Sequence, residues 1–308
     1  MNEYTFKSTN GINSIHCCEW VPEGKPVAIL QLVHGMAEHI TRYGDFAEYL
    51  AKNGILVAGH DHIGHGESCD PKDWGYFGPK DGWLTMINDV EEHRKLIDEK
   101  YPGIPHFILG HSMGSFVVRS YLAKYGRDIN GAIVMGTANK NGAVGAGKTL
   151  VSMIRKFKGD RHLSKLVTNM AFGSYLKRIP DAKSAYDWLS RDPEIVRKYD
   201  EDPGCGFTFT AAGYADLFGF LGYMDSEECY KDTNVNIPIL VVAGEEDPVG
   251  AYGVGPKEYY EKLKSLGCEK ASLKLYPGMR HEILNEIGKE EVYEDMKNFV
   301  LGNLPKDE

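Results

Sequence analysis

The sequence predicts an α/β fold in which a mostly parallel sheet is covered by helices on both faces. Short apolar runs rich in β-branched residues recur along the chain, and segments of helical length separate them. Because these runs are apolar throughout and do not alternate, they are typical of strands that are buried on both faces. With 42% hydrophobic and 26% charged residues in 308, the chain also has the composition of a globular protein with a large core.

The order of the predicted elements follows from these patterns. The predicted buried strands are residues 27–33, 55–59, 106–110, 131–136, 237–244 and 271–276. The helices predicted between and after them are residues 41–52, 83–100, 112–125, 255–266 and 287–302. Residues 3–8 and 14–20 alternate more strongly and flank a Thr-Asn-Gly turn, so we expect them to form a hairpin at one edge of the sheet.

One long stretch interrupts the alternation of strands and helices. Residues 137–230 contain no strand pattern, only helical segments with many aromatic residues and Gly/Pro breaks. An all-helical insertion between two strands of one sheet is the simplest interpretation. We therefore expect an α/β core of residues 1–136 and 231–308, with a helical cap, residues 137–230, above the active site.

Composition excludes several classes of function. The net charge of −9 argues against general nucleic-acid binding, and no apolar run reaches the length of about 18 residues that a membrane span needs. The N-terminus has no pattern of a signal peptide, so a cytoplasmic location is expected. The cysteines lack the spacing of a disulfide framework or a zinc site, and we expect free thiols at Cys17, Cys18, Cys69, Cys205, Cys229 and Cys268.

Positive charge is concentrated in one part of the predicted cap. Residues 140–178 contain nine Lys and Arg against one acid, Asp160, a net charge of +8, which leaves −17 for the remainder of the chain. Such an asymmetry is typical either of a solvated helix face or of an interaction surface. If this segment is an interaction surface, its predicted partner is an anionic lipid surface, which it contacts transiently.

Residues 142–149 match the phosphate-loop template G-x-x-x-x-G-K-[ST], with Gly142, Gly147, Lys148 and Thr149 at the defining positions. The context argues against nucleotide binding. A phosphate loop leaves its strand directly, whereas here the strand ends near Gly136 and five residues intervene. We interpret the match as a flexible, basic entry to the helical insertion, and we expect no nucleotide.

The motif GHSMG, residues 110–114, fits its surroundings better. A predicted strand precedes it and a predicted helix follows, so Ser112 lies on a sharp strand-to-helix turn, as in a nucleophile elbow. Gly110 and Gly114 leave room for a strained backbone and for close packing of helix on strand. The Ser112 hydroxyl is then expected above the sheet, at a helix N-terminus that favours developing negative charge.

The partners of such a serine follow in the order Asp and then His. Asp247 lies in the loop after the strand 237–244, and His281 lies in the loop after the strand 271–276. His281 would take the Ser112 proton while Asp247 orients the imidazole and stabilises its charged form. On spacing alone, Glu245 and Glu246 remain alternatives to Asp247.

Two backbone amides are predicted to form an oxyanion hole. One is that of Met113, directly after the serine, and the other is that of Met36, in the loop HGMAEH after the first parallel strand. His34 and His39 flank Met36, and a role in stabilising the loop suits them better than proton transfer. The group His60, Asp61, His62 and His65 has the composition of a metal site, but a hydrogen-bonded scaffold is the favoured interpretation.

Five segments together resemble the monoacylglycerol lipase and lysophospholipase group of α/β-hydrolases. They are HGMAEHITRY (34–43), GHDHIGHGES (59–68), GHSMG (110–114), GEEDPV (244–249) and RHEILNE (280–286). The resemblance runs from about residue 25 to the last helix. Three segments of the insertion are similar to the cap of bacterial lysophospholipase-type hydrolases: AFGSY (171–175), DWLSRD (187–192) and CGFTFT (205–210).

The resemblance implies an α/β-hydrolase fold, a triad of Ser112, Asp247 and His281, and oxyanion positions at Met36 and Met113. It also implies that Glu38 and Arg42 contact the substrate, because their positions help to hold the glycerol head group in the animal monoglyceride enzymes. Those enzymes carry a second histidine three residues after the catalytic one, where this chain has Leu284. Ala37, Ile40 and Thr41 also replace smaller or more polar residues of that loop.

The sequence therefore predicts a serine carboxylic-ester hydrolase that works through an acyl-enzyme and needs no cofactor or metal. Single-chain acyl esters of the monoacylglycerol or lysophospholipid type are the expected substrates, since an aromatic-rich cap above the serine would supply an apolar acyl pocket. The alternatives are a small-ester esterase, an amidase or an aminopeptidase on the same triad. A non-enzymatic lipid-binding protein of this fold is a further alternative from a different class.

Overall fold

The computed structural model describes residues 1–138 and 144–305 and contains an eight-stranded sheet. The strands are β1 (Asn2–Lys7), β2 (Ser14–Trp20), β3 (Ala28–Val33), β4 (Ile55–His60), β5 (His106–His111), β6 (Gly131–Met135), β7 (Ile239–Gly244) and β8 (Ala271–Tyr276). Their order across the sheet is β1-β2-β4-β3-β5-β6-β7-β8. From β4 to β8 all neighbours are parallel, while β2 is antiparallel to both β1 and β4.

Helices cover both faces of this sheet. They are α1 (Gly44–Lys52), α2 (Gly82–Lys100), α3 (Met113–Lys124), α4 (Val144–Lys158), α5 (Lys165–Phe172), α6 (Pro193–Glu201), α7 (Ala211–Tyr223), α8 (Glu227–Asp232), α9 (Val254–Ser265) and α10 (Lys289–Gly302). Helices α1 and α10 pack on one face, and α2, α3 and α9 pack on the other. The predicted α/β fold with a mostly parallel sheet is confirmed.

The predicted elements of the sheet and its flanking helices are found with ends shifted by at most a few residues. The predicted hairpin is confirmed as β1 and β2, which pair in antiparallel fashion at one edge, with Tyr4 opposite Cys17. The first predicted helix begins later than expected, because Ile40–Tyr43 form a short 3-10 helix before α1. Strands β3 to β7 are entirely buried, which explains why their sequences do not alternate.

Helices α4 to α8 lie between β6 and β7 in sequence. Phe209, Tyr214 and Phe220 of this segment are buried and belong to the same apolar core as α2 and α3. Among the helices of the described ranges, none has both the length and the apolar character that crossing a membrane requires.

The interpretation of residues 142–149 as a flexible linker is wrong for the part that the structure describes. Gly142, Asn141 and Lys140 lie outside the described residues, but from Val144 onward the chain is helix α4. Gly147 is buried against α7, where a Cβ atom would lie 2.7 Å from the ring of Phe218. This glycine therefore lets two helices approach closely, and the helical backbone at 144–147 does not form a loop around a phosphate.

Candidate active site

The parallel strands bring the predicted catalytic residues to one edge of the sheet. Ser112 follows β5, Asp247 follows β7 and His281 follows β8, each beyond the carboxyl end of its strand. In open α/β sheets, this edge is where ligands bind. The sheet order β5-β6-β7-β8 thus places three distant parts of the sequence side by side.

Ser112 occupies the predicted strand-to-helix turn in a strained conformation. Its φ of 53° and ψ of −120° are rare for a residue with a side chain, and helix α3 begins at the next residue. The turn is possible because Gly110 and Gly114 lack side chains. A Cβ at Gly110 would collide with the carbonyl oxygen of Gly114, and one at Gly114 would collide with that of Val33.

His281 and Asp247 form a buried pair. The His281 Nδ1 atom lies 2.9 Å from Asp247 Oδ2, and the other Asp247 oxygen accepts a hydrogen bond of 2.8 Å from the Val249 amide. Glu245 and Glu246, the alternatives on spacing, are exposed. The arrangement gives an imidazole whose Nδ1 is held by a carboxylate and whose Nε2 remains for proton transfer.

Ser112 and His281 line the same cavity, which also contains Met36 and Met113. Among the described residues, no hydrogen bond joins Ser112 Oγ to His281, whose Nδ1 is bonded to Asp247. The rings of His111 and Trp188 pack against the imidazole of His281, with centroids 4.7 and 5.1 Å away.

The amides of Met36 and Met113 are available to a ligand. Among the hydrogen bonds of the described residues, none uses either amide as a donor. The loop that carries Met36 is held in place by its neighbours, because the Gly35 amide donates to Glu38 Oε1 at 2.6 Å. Ala37 has a positive φ of 52°, and its carbonyl oxygen accepts hydrogen bonds from the Gly206 amide and the Tyr199 hydroxyl.

Glu38 and Arg42 belong to a buried ion network. The Arg42 guanidinium lies 2.5 Å from Glu38 Oε2 and makes two hydrogen bonds, of 2.8 and 2.7 Å, with Glu282. It also packs over the ring of Tyr199, 4.7 Å from the centroid. These contacts occupy the guanidinium with protein groups, and a contact of Glu38 or Arg42 with a substrate head group stays a prediction.

The electrostatics of this network keep both carboxylates charged. Burial alone raises the pKa of Glu38, but Arg42 and His111 outweigh it, and the pKa lies well below its usual value. The same balance between burial and Arg42 lowers the pKa of Glu282. For His111, burial lowers the pKa, yet the hydrogen bond and charge of Glu38 raise it overall. The charged side chains of this network are thus held in fixed positions beside the site.

The histidine-rich loop after β4 forms a hydrogen-bonded scaffold. Asp61 accepts hydrogen bonds from the Ile40 and Glu67 amides, and His16 Nδ1 lies 2.9 Å from its second oxygen. His34 links this scaffold to the loop of Met36, because its Nε2 atom accepts a hydrogen bond of 3.0 Å from the His62 amide. His39 instead pairs with Asp202, at 2.8 Å, beyond α6. Both histidines therefore stabilise the loop, as their sequence context predicts.

The cavity at Ser112 has a volume of about 400 Å³ and a largely apolar lining. Helices and loops of residues 144–221 supply much of that lining: Val144, Met170, Ala171, Phe172, Tyr175, Trp188, Leu189, Phe207, Leu217, Phe218 and Leu221. Met170 is also 59% exposed, so it lies where the cavity approaches the surface. The space suits an apolar chain whose polar end lies at Ser112.

Three residues of the site have no clear signal in the sequence. Glu282 directly follows His281, but nothing in its spacing indicates a bond to Arg42, 240 positions earlier. His111 precedes Ser112 and lies close to His281, and Trp188 comes from the helical insertion. The only signal in the sequence was that these residues lie in or next to recognised motifs. Their contacts with the other residues of the site depend on the fold.

Comparison with known proteins identifies the family. Residues 24–288 match the family model described as serine aminopeptidase, S33. The chain is 30% identical over 310 residues to a monoacylglycerol lipase from Mycolicibacterium smegmatis, with 98% of each chain covered. It is also 27% identical to the human monoglyceride lipase, over 89% of this chain and 81% of that protein.

Solved structures agree with this assignment. A thermostable carboxyl esterase from Bacillus coagulans, in complex with glycerol, superimposes with a TM-score of 0.93 at 32% identity and covers 99% of each chain. A soluble variant of the monoglyceride lipase from Saccharomyces cerevisiae has the same fold, with a TM-score of 0.78 at 19% identity over 99% of this chain and 96% of that chain. The chain is a hydrolase, and it belongs to the serine aminopeptidase S33 family of α/β-hydrolases, within the monoacylglycerol lipase group.

Proposed function

We propose that the protein is a serine carboxylic-ester hydrolase that cleaves single-chain acyl esters of the monoacylglycerol or lysophospholipid type. One observation carries the proposal. The buried His281–Asp247 pair opens into an apolar cavity that also holds Ser112, on a strained turn at the N-terminus of α3. A nucleophile, a base with its orienting carboxylate and an apolar chain pocket therefore meet in one place.

The proposed reaction proceeds in two halves. His281 Nε2 removes the Ser112 proton as Oγ attacks the acyl carbonyl, and the amides of Met36 and Met113 donate hydrogen bonds to the oxyanion. His281 then gives the proton to the departing alcohol oxygen, which leaves an acyl-enzyme. A water molecule attacks this ester with His281 again as base, and the fatty acid and free Ser112 are released.

We further propose that residues 137–230 form a cap over a core of residues 1–136 and 231–308. Tyr199 and the Gly206 amide both donate hydrogen bonds to Ala37, next to the proposed oxyanion amide of Met36. Trp188 packs on His281 from the same segment. These contacts support a cap that closes the acyl pocket and keeps the oxyanion loop in position.

The free cysteines support a cytoplasmic location.

Removal of either Ser112 or His281 tests the triad. Ser112→Ala and His281→Ala are each expected to lower kcat by roughly 10⁴–10⁶-fold, because the members of a triad act as a unit. Wild-type protein is expected to react with a fluorophosphonate at Ser112, and Ser112→Ala is not. Ser120→Ala is the control, since Ser120 is buried in the same helix and its hydroxyl donates a hydrogen bond to the Phe116 carbonyl but does not line the cavity. Near-normal turnover by Ser112→Ala would refute the serine mechanism.

The length of the acyl chain tests the substrate class. Each methylene buried in the apolar cavity contributes about 0.8 kcal/mol, so kcat/KM for nitrophenyl esters is expected to rise roughly fourfold per carbon until the cavity is full. The measurement is kcat/KM from acetate to decanoate, followed by a panel of monoacylglycerols, lysophospholipids and triacylglycerols. A steady fall beyond acetate would indicate a small-ester esterase instead.

An aminopeptidase is the second candidate, because the matched family model carries that description. A peptide N-terminus would need a free carboxylate in the cavity. Glu38 and Glu282 do line it, but both are already paired with Arg42. We therefore expect turnover of aminoacyl nitroanilides to be negligible beside that of nitrophenyl esters, and the reverse order would favour the peptidase.

We also propose that the outer surface of α4 and α5 contacts anionic lipid interfaces. Exposed apolar side chains on this surface include Phe157, 79% exposed, and Leu166, 57% exposed. Exposed lysines 156, 158 and 165 lie among them, and none forms an ion pair with any described residue. Apolar and basic side chains together are typical of a surface that rests on a charged lipid layer.

A further inference from the structure

A second cluster of ligand-type side chains lies at the hairpin edge of the sheet, outside the proposed active site. The register of β1 and β2 places Glu3 opposite Cys18, and His16, two residues from Cys18, shares its face of the strand. A carboxylate oxygen, an imidazole nitrogen and the Cys18 sulfur all lie within 4.8 Å of one another. Glu3 is exposed, whereas His16 and Cys18 are buried.

The imidazole of His16 is oriented by a carboxylate behind it. Its Nδ1 lies 2.9 Å from Asp61 Oδ2, so its Nε2 points to the other side, where Cys18 Sγ is 3.9 Å away. Asp61 is itself fixed by the amides of Ile40 and Glu67. A histidine that binds a metal through one ring nitrogen is usually oriented by a carboxylate that accepts a hydrogen bond from the other ring nitrogen.

We propose that Glu3, His16 and Cys18 bind a divalent transition-metal ion of the Zn²⁺ class, with water as the fourth ligand. A thiolate, an imidazole and a carboxylate are the donors that Zn²⁺ accepts in tetrahedral sites. With bond lengths of about 2.3 Å to sulfur and 2.0–2.1 Å to nitrogen, an ideal site separates these two atoms by about 3.6 Å. The observed 3.9 Å requires only a small closing movement.

Two other interpretations of these side chains fit the geometry less well. The order Asp61–His16–Cys18 has the composition of a thiol-nucleophile triad, but Cys18 has no exposed surface, and a substrate carbonyl cannot reach it. An ion can approach from the exposed Glu3 side. The described residues contain one more group of this kind, His39, Asp202 and Cys205. There the His39 Nε2 atom lies only 2.8 Å from Asp202 Oδ2, a direct hydrogen bond that leaves no room for an ion between them, and the Nδ1 atom is bonded to Thr41 at 2.8 Å.

The bound ion would join the edge strand to the rest of the sheet. Glu3 lies on β1 and the other two ligands on β2, while Asp61 links His16 to the loop after β4. Binding requires the Cys18 thiol to lose its proton, and it also requires His16, whose pKa is raised by the hydrogen bond to Asp61, to lose the proton on Nε2, so two protons pass to the buffer. Metal would therefore stabilise the hairpin without contacting Ser112 or His281.

Titration with Co²⁺, which reports its own coordination by absorbance, tests the proposal. Wild-type protein is expected to give a near-ultraviolet thiolate-to-cobalt charge-transfer band, the visible bands of a tetrahedral site and saturation at one equivalent. Zn²⁺ is expected to abolish these bands by displacement and to raise the midpoint of thermal unfolding. Glu3→Gln, an exposed substitution that does not disturb the core, is expected to weaken binding at least tenfold.

Cys18→Ser and Cys205→Ser are the matched pair of variants, since each removes the thiol of one of the two groups. We expect the charge-transfer band to vanish in Cys18→Ser and to persist in Cys205→Ser. The proposal is overturned if cobalt gives no band, if the band survives in Cys18→Ser, or if Glu3→Gln binds as tightly as wild type. Ester turnover is a separate readout, so failure of the metal site does not affect the proposed hydrolase function.

Discussion

Arg42 carries a buried positive charge between two loops of the proposed active site. Glu38 belongs to the loop that carries Met36, and Glu282 directly follows His281. The side chain of Arg42 is only 12% exposed, and those of the two carboxylates are 4% and 3% exposed. Its removal would therefore leave Glu282 buried without a counter-charge and Glu38 with only His111 beside it, which is more costly than the loss of a surface ion pair.

Substitution of Arg42 by methionine is expected to reduce the free energy of unfolding by about 3–5 kcal/mol, since an uncompensated buried charge remains. Urea unfolding measures this loss. We also expect kcat/KM to fall by a similar factor for a monoacylglycerol and for a nitrophenyl ester, because Arg42 acts by positioning two loops. A loss confined to the monoacylglycerol, seen in KM, would instead favour direct contact with the glycerol head. Arg42→Lys keeps the charge and allows the same comparison if the methionine variant does not fold.

Arg197→Met provides the control for this prediction. Arg197 pairs with Glu194 and Glu201 on the surface of α6, and its side chain is 52% exposed. Solvent screens exposed ion pairs, which therefore contribute little to stability, so this variant should unfold almost as wild type does. If Arg42→Met and Arg197→Met lose the same free energy of unfolding, burial of the Arg42 network has no energetic consequence.

At the scale of single elements, helix α4 shows how packing determines the role of a motif. The sequence Gly-Lys-Thr at 147–149 lies within the helix, with Gly147 against Phe218 and the Thr149 hydroxyl bonded to the Gly145 carbonyl at 3.1 Å. Lys148 reaches along α7, where a Cβ at Gly222 would lie 2.5 Å from its Nζ. Gly147, Lys148 and Thr149 thus each have a role in joining or forming helices.

The outer surface of α4 and α5 carries the prediction on lipid contact. Reversal of Lys156, Lys158 and Lys165 to glutamate should weaken binding to vesicles of phosphatidylglycerol and phosphatidylcholine by roughly 100-fold, at about 1 kcal/mol for each lysine. Vesicle sedimentation measures the binding. Turnover of nitrophenyl acetate in solution should remain unchanged, because these lysines do not line the cavity.

A second triple reversal separates a local surface from overall charge. Lys52, Lys257 and Lys270 are also exposed but lie outside α4 and α5. Their replacement by glutamate changes the net charge equally and should leave vesicle binding nearly intact. If both triple variants lose binding to the same extent, the cap surface has no special role.

At the scale of the whole molecule, buried histidines link stability to pH. Burial lowers the pKa of six histidines: His34, His60, His62, His65, His93 and His106. For His65 and His93 the pKa falls to about 3. The pKa of a histidine in the unfolded chain is near 6.5. Between this pH and about pH 3, the unfolded chain binds protons at these histidines and the folded protein does not. Each such group therefore lowers the stability of the fold as the pH falls through this range.

His65→Phe isolates one of these contributions. Because one fewer proton is taken up on unfolding, the loss of unfolding free energy between pH 6 and 4 should be smaller by about 1.4 kcal/mol per pH unit than in wild type. The ring of His65 already stacks on Phe77, with centroids 5.4 Å apart, so an aromatic replacement fits the position. Urea unfolding at several pH values measures the slope.

Other groups cancel in this comparison, because they are present in both proteins. Burial raises the pKa of Asp216 to about 7, which acts in the opposite direction since the folded state then holds a proton that the unfolded state releases. An unchanged slope in His65→Phe would mean that this ring is protonated in the folded state.

The sequence alone determined the α/β class, the strands and helices of the sheet and the family group. It could do so because buried parallel strands are uniformly apolar and because the turn around Ser112 tolerates only glycine at positions 110 and 114. These are local requirements, and a local sequence pattern records them. The choice of Ser112, Asp247 and His281 as candidates also rested on local features, namely their places after strands.

The tertiary structure alone decided which of these residues meet. The pairing of Asp247 with His281, instead of Glu245 or Glu246, depends on how the ends of β7 and β8 lie side by side. The bonds of Arg42 to Glu282 and the packing of Gly147 on Phe218 join parts of the chain that are distant in sequence. Such contacts are set by packing in three dimensions, because the energy of a buried charge or of a close helix crossing depends on neighbours that no local pattern specifies.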